Sequence, residues 1–196
     1  WVDASGKGVN VSRVLIQLGK RVVHLTQAGS GPDGERFLEL AARDGVTITP
    51  VRTAAEVRTC VTLINSQTGS TTEIVEEGRP VEEQTETALR ALYLEQLEEA
   101  RTVIISGSKA PGFSAELFPW MVMKAKSRGL QVILDYREAD LLASLEHGPD
   151  VIKPNLSEFV RTFFPGQEVR EGEENESLLK EVRARMLKLH RERGIL

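Results

Sequence analysis

Apolar residues recur along this chain at two spacings that take turns. Val11, Val14, Leu15 and Leu18 keep the three-and-four spacing of a helix face, and Gly19 stands where such a helix stops. Residues 22–26 read as a strand, and Gly29-Ser30-Gly31-Pro32-Asp33-Gly34 as a turn. Phe37, Leu38 and Ala41 form one side of a helix over 35–44, ended by Gly45 and followed by a short strand at 46–49. Residues 58–65 alternate and are rich in β-branched side chains, and Gln67-Thr68-Gly69-Ser70 turns them back into 71–75, which predicts a hairpin.

From residue 81 the helical spacing returns, with Leu89, Leu92, Tyr93 and Leu97 as an inner face. A strand at 102–106 leads through Ser106-Gly107-Ser108-Lys109-Ala110-Pro111-Gly112 to a helix that Ser114 caps, running to residue 128 and ended by Gly129. A strand over 130–135 finishes on Asp135, and a helix over 138–146 precedes a strand at 150–153 that Pro154 cuts off. A short helix follows at 156–163. Residues 165–177, with Glu171, Glu173, Glu174 and Glu176, read as a solvated acidic loop. The last helix points Leu179, Val182, Met186 and Leu189 inward, and Ile195-Leu196 is where a further strand is expected to begin.

Short apolar strands alternating with helices predict a parallel sheet covered on both faces, into which one hairpin has been inserted as a flap or lid. That divides the chain into an α/β core of residues 1–50 and 76–196 and a lid of 51–75. With 196 residues, 40% of them hydrophobic, a single domain with a packed core is expected. The formal net charge of −4 disfavours a general nucleic-acid binder, and no apolar run reaches the length of a membrane span. Cys60 is the only cysteine, which makes a reducing, cytoplasmic location the expectation. The chain opens just before a ligand-type turn and closes on a nascent strand, so it reads as a piece of a longer protein.

Three stretches carry chemistry. In Ser5-Gly6-Lys7-Gly8-Val9-Asn10 a lysine lies between two glycines at a helix start, where unpaired N–H groups favour an anionic or polyhydroxylated ligand. The bland alternative is that the glycines turn the chain and Asn10 caps the helix. Lys153-Pro154-Asn155-Leu156-Ser157-Glu158 puts a lysine at a strand end, where it can meet phosphate, with Asn155 and Glu158 three apart and able to organise a hydrated Mg²⁺. The alternative there is a plain capping box. Ser106-Gly107-Ser108 lacks the glycine of a nucleophile elbow and reads as a hydroxyl-and-amide anion site or a loop leading into a helix. Arg58 is either a phosphate clamp or a solvated strand-surface arginine, and Asp135 a ligand-side carboxylate or a cap.

As a set these residues resemble the PfkB (ribokinase-like) sugar kinases, and most closely their 1-phosphofructokinase and tagatose-6-phosphate kinase branch. The likeness rests on Ser5 to Leu15, on Arg58-Thr59 with Thr72-Glu73-Ile74, on Ser106-Gly107-Ser108 with Pro111-Gly112, and on Lys153-Pro154-Asn155 with Glu158, all in order. It implies a ribokinase-like three-layer α/β sandwich with a mostly parallel sheet and a β-hairpin lid, often also a homodimer surface. It implies transfer of the ATP γ-phosphate to a hydroxyl of a sugar phosphate, with Mg²⁺. By that analogy Gly6, Lys7, Asn10, Arg58 and Ser108 bind substrate, Lys153 and Asn155 bind ATP, and Asn155 and Glu158 serve the metal. Ser5, Lys109-Ala110 and Val75 depart from the family's usual residues. Its Gly-Ala-Gly-Asp segment, with the catalytic base, does not occur in the sequence, nor does its amino-terminal strand with a sugar-binding aspartate. The resemblance therefore implies that these 196 residues alone are inactive. The competing readings are a non-catalytic sugar-phosphate sensor or interaction module, and a kinase of an unphosphorylated sugar or nucleoside.

Overall fold

The computed structural model describes residues 1–167, 169 and 176–196, so most of the expected acidic loop at 165–177, including Glu171, Glu173 and Glu174, lies outside the described residues. The chain divides into two compact units: Trp1–Leu89 with Lys109–Phe113, and Arg90–Ser108 with Ser114–Leu196.

In the first unit, α1 (Lys7–Gln17) leads to β1 (His24–Gly29), α2 (Pro32–Arg43) and β2 (Ile48–Thr53). β1 and β2 pair in parallel, from His24 opposite Ile48 to Gly29 opposite Thr53. The first helix starts earlier than its apolar spacing suggested. Gly6 is the N-cap, at φ 127°, and Lys7 is the first helical residue. Asn10 therefore lies inside the first turn, its N–H bonded to the Gly6 carbonyl, and is not a cap. The inner face also differs from the expected one: Val9 and Ser12 are buried, while Val14 and Leu18 are exposed. Val9 joins Ala4, Ala41 and Val46 in a core to which Ile16, Phe37, Leu40 and Ile48 add. The glycine-rich turn 29–34 is shorter than expected because Pro32 opens α2, a position where its missing N–H costs nothing. Gly34 then passes so close to β1 that a Cβ there would sit 1.9 Å from the Gly29 carbonyl oxygen.

The hairpin is present. β3 (Cys60–Ile64) and β4 (Thr71–Val75) form a separate antiparallel sheet, Val61 opposite Ile74 and Leu63 opposite Thr72, and all ten positions are exposed. Arg58 precedes β3 instead of lying in it. The Asn65 side chain accepts the N–H groups of Gln67 and Thr68, and the Asn65 and Gly69–Ser70 backbones close the turn. At the stem, Glu76 accepts the Thr59 N–H and returns a backbone bond. Glu82 accepts from the Thr53 hydroxyl and the Ala54 N–H. α3 (Glu83–Gln96) begins just after it.

In the second unit, β5 (Thr102–Ser106), β6 (Gln131–Asp135) and β7 (Val151–Ile152) form a parallel sheet in that order. The register sets Ser106 opposite Asp135. α4 (Leu117–Lys126) joins β5 to β6, with Glu116 at its N-cap; it starts two residues later than a Ser114 cap would give. Gly129, at φ 72°, ends this stretch as expected. α5 (Glu138–Ser144), a 3₁₀ turn over Leu145–His147, and α6 (Leu156–Phe163) follow. Leu117, Val122, Ala125, Val132, Leu134, Leu141 and Val160 are buried to 1% exposure or less and make this unit's core. Asp150 pins α4 to the sheet, taking both Lys126 Nζ bonds at 2.8 Å and the Val132 N–H at 2.7 Å. α7 (Glu176–Arg193) buries Leu178, Val182 and Leu189; Leu179 and Met186, expected inward, are exposed. Ile195-Leu196 does extend as a strand would: Leu196 donates to Asp150 O, and its carbonyl accepts the Ile152 N–H, both at 2.9 Å.

Candidate active site

At the carboxyl ends of β5, β6 and β7 the parallel register gathers polar residues from three separate stretches, the place where open α/β sheets bind ligands. Asp135, 5% exposed, is the centre. Ser106 Oγ donates to Asp135 Oδ2 at 2.9 Å, the Gly107 N–H donates to the Asp135 carbonyl at 3.0 Å, and Lys153 Nζ lies 3.6 Å from Asp135 Oδ1. The Ser106 hydroxyl and the Gly107 amide are thus engaged by Asp135, and within Ser106-Gly107-Ser108 it is Ser108 that is exposed. Lys153 keeps a side chain 71% exposed while its backbone N–H bonds to Leu134 O, so its ammonium projects from a fixed strand end.

Asn155 and Glu158 meet as a capping box. Asn155 Oδ1 accepts the Glu158 N–H at 2.8 Å, and Glu158 Oε2 accepts the Asn155 N–H at 3.0 Å. The bland reading of this pair therefore describes its geometry, and it fixes both side chains at the start of α6. An amide and a carboxylate are also the hard oxygen donors that suit Mg²⁺, which keeps most of its waters. Among the described residues no three His, Cys, Asp or Glu side chains cluster as a ready-made metal site. Nearby, Glu138 is the only described non-glycine residue with positive φ, at 60°, its N–H held by Thr162 Oγ1 at 2.9 Å. A strained residue three positions past Asp135 opens α5 beyond this strand end, and no spacing in the sequence announces it.

Gly6, Lys7, Asn10 and Arg58 belong to the first unit, and Ser108, Lys153, Asn155 and Glu158 to the second, so the structure assembles two partial constellations. In the first, Lys7, Asn10 and Arg58 are all exposed. Arg13, which the sequence reading passed over, anchors Asn10. It donates to Asn10 Oδ1 at 2.9 Å, Asp3 Oδ1 at 2.8 Å, the Ala4 carbonyl at 2.6 Å and, through Nε, Asp44 Oδ2 at 2.9 Å. Its signal was present as a cation three residues beyond Asn10, the separation that puts two side chains on one helix face. Glu56 was also missed. Its carboxylate lies against Gly29 and Gly31, where Cβ atoms would come within 2.7 and 2.0 Å of its oxygens.

The chain matches the pfkB family carbohydrate kinase across residues 1–187 and belongs to that family. Its fold is that of ribokinase-like kinases. A possible 1-phosphofructokinase from Thermotoga maritima superposes with a TM-score of 0.79 at 24% identity, over 94% of this chain and 57% of that one. The tetrameric inhibited form of phosphofructokinase-2 from Escherichia coli gives 0.80 at 23%, over 97% and 60%. The same enzyme in complex with fructose-6-phosphate gives 0.79 at 23%, over 98% and 60%. The chain thus spans 57–60% of the length of these structures.

Proposed function

We propose that the protein is an ATP-dependent phosphotransferase acting on a hydroxyl of a sugar phosphate, of the fructose 1-phosphate or tagatose 6-phosphate type. The observation that carries this reading is the edge of the β5-β6-β7 sheet. An exposed lysine there is aligned by a buried aspartate beside a helix start whose first residues are locked by a capping box. That edge suits a polyphosphate. Lys153 would meet phosphate oxygens as a point charge, and Asn155 would lie beside the nucleotide. Asn155 and Glu158 would orient the waters of Mg²⁺, which when bound neutralises phosphate charge. In the first unit Gly6 and Asn10 would hold sugar hydroxyls, and Lys7 and Arg58 substrate phosphate; in the second unit Ser108 would bind phosphate.

Transfer moves the γ-phosphoryl from ATP to the acceptor oxygen, breaks its bond to ADP and releases the hydroxyl proton to a base. Positioning and charge neutralisation account for most of the catalysis in such transfers. No Gly-Ala-Gly-Asp segment occurs in the sequence, so in this reading the 196 residues bind ligand without turning it over. Within the expected lid of residues 51–75, whose first three residues belong to β2, the exposed hairpin of β3 and β4 would act as the flap and as a surface for a second copy.

A coupled ADP-release assay over sugar phosphates, free sugars and nucleosides tests the reading, with the 196-residue chain and the complete gene product run side by side. We expect turnover of a sugar phosphate by the complete product alone. Arg58→Ala in that product should raise the apparent KM about 10- to 100-fold, equivalent to about 1.5–3 kcal/mol for a hydrogen bond to a charged group. An unchanged KM would redirect the assignment to an unphosphorylated acceptor. Ligand binding with no turnover of any acceptor by the complete product would leave a sensor.

A further inference from the structure

Arg13 is bound on every side. Its guanidinium meets Asp44, Asp3 and the Ala4 carbonyl, and one N–H of Nη1 reaches Asn10 Oδ1 at 2.9 Å. The side chain is 18% exposed and forms ion pairs with Asp3 and Asp44, so it has little room to reorient. A guanidinium offers donors and no acceptor. The atom of the Asn10 amide that faces Arg13 must therefore be the oxygen, and the Nδ2 group is turned the other way. Asn10 itself is exposed, on the helix turn that starts at Gly6.

We propose that Arg13 is a positioning residue that locks the Asn10 amide in one of its two flips, so that Asn10 meets the ligand as a pair of N–H donors. The inference rests on the reading of Asn10 as a ligand-binding residue and adds to it the sign of the contact. The ligand group opposite Asn10 is an acceptor, a hydroxyl, ring, carbonyl or phosphate oxygen. An unclamped asparagine would offer either end and would lose rotamer freedom on binding; a clamped one has lost it already. Asp3 and Asp44 hold the clamp, and in turn tie the segment before α1 and the residue after α2 to the same guanidinium.

Two measurements test this. Arg13→Lys keeps the charge facing Asp3 and Asp44 but has one nitrogen in place of three, so it does not reproduce the Nη1 contact to Asn10 beside both carboxylates. In the ligand-free protein, ¹⁵N relaxation of the Asn10 side-chain amide should report a rigid group, with an order parameter near about 0.8. In Arg13→Lys it should fall below about 0.6, with the backbone amide of residue 10 unchanged. An Asn10 side chain equally mobile in both proteins overturns the proposal whatever the ligand is.

The second measurement is calorimetric titration with fructose 1-phosphate across a double-mutant cycle. Arg13→Lys should weaken binding about tenfold when Asn10 is present and less than about twofold in an Asn10→Ala background. An equal loss in both backgrounds would make Arg13 a purely structural residue and defeat the idea. Absence of binding to any sugar phosphate by the unsubstituted protein would remove the functional reading, while the amide measurement still decides the Arg13–Asn10 lock by itself.

Discussion

His24 is half-buried beside Ser12, its Nδ1 2.7 Å from the Ser12 hydroxyl, and burial lowers its pKa below the ordinary 6.5. The unfolded chain therefore takes up a proton on this ring at a higher pH than the folded protein does. Stability from the neutral ring is fully present above pH 6.5 and is lost as the pH falls from there through the folded-state value. Thermal melts between pH 7.5 and 5 should show the native protein losing its advantage over His24→Gln on the acid side. A constant difference across that range would exclude the linkage. The pair was hidden in the sequence because Ser12 occupies a position that the apolar stripe had assigned to the helix's outer side. In the structure Ser12 is buried and meets β1 through His24.

At the scale of elements, α2 and β1 approach until backbone meets backbone, and only a hydrogen at Gly34 allows it. Gly34→Ala should cost about 1–3 kcal/mol in urea unfolding, because a carbonyl, unlike a side chain, cannot move aside. Gly129 has φ 72° but open space around it. Gly129→Asn, with a side chain that tolerates the left-handed region, should cost less than about 1 kcal/mol. The reverse order would show that conformation outweighs contact here. Both glycines read alike in the sequence, as punctuation beside a helix; what separates them is a neighbour 5 residues back in the chain for one and solvent for the other.

For the molecule as a whole, the strands and helices were mostly legible because each pairs a periodic apolar pattern with a glycine or proline stop. Residues 71–75 and 156–163 match the observed β4 and α6 at both ends. The apolar strand cut off by Pro154 and the Asn155–Glu158 spacing likewise gave the strand end at Lys153 and the helix start that the structure has. The contacts that tie distant stretches together were not legible: Arg13 to Asp44, Glu56 to Gly29 and Gly31, Ser106 to Asp135. These depend on which residues the fold brings side by side, and spacing along the chain carries no record of it. The hairpin was legible, but not what its one exposed face of Val61, Leu63 and Ile74 would meet. An isolated two-stranded sheet is marginal in water, and a second copy is the partner proposed above. Sedimentation at tens of micromolar should then find a dimer that Leu63→Lys converts to a monomer. A native monomer, or a dimer indifferent to that change, would remove the hairpin from the assembly.

The hairpin's tip has a practical consequence. Asn65 and Ser70 are joined by a backbone bond of 2.9 Å, and the residues between them are exposed. A foreign domain whose own termini lie close together could be spliced between Gln67 and Thr68 with both flanking strands still in register. A fluorescent reporter grafted there would ride on β3 and β4, and its polarisation would follow the motion of the hairpin.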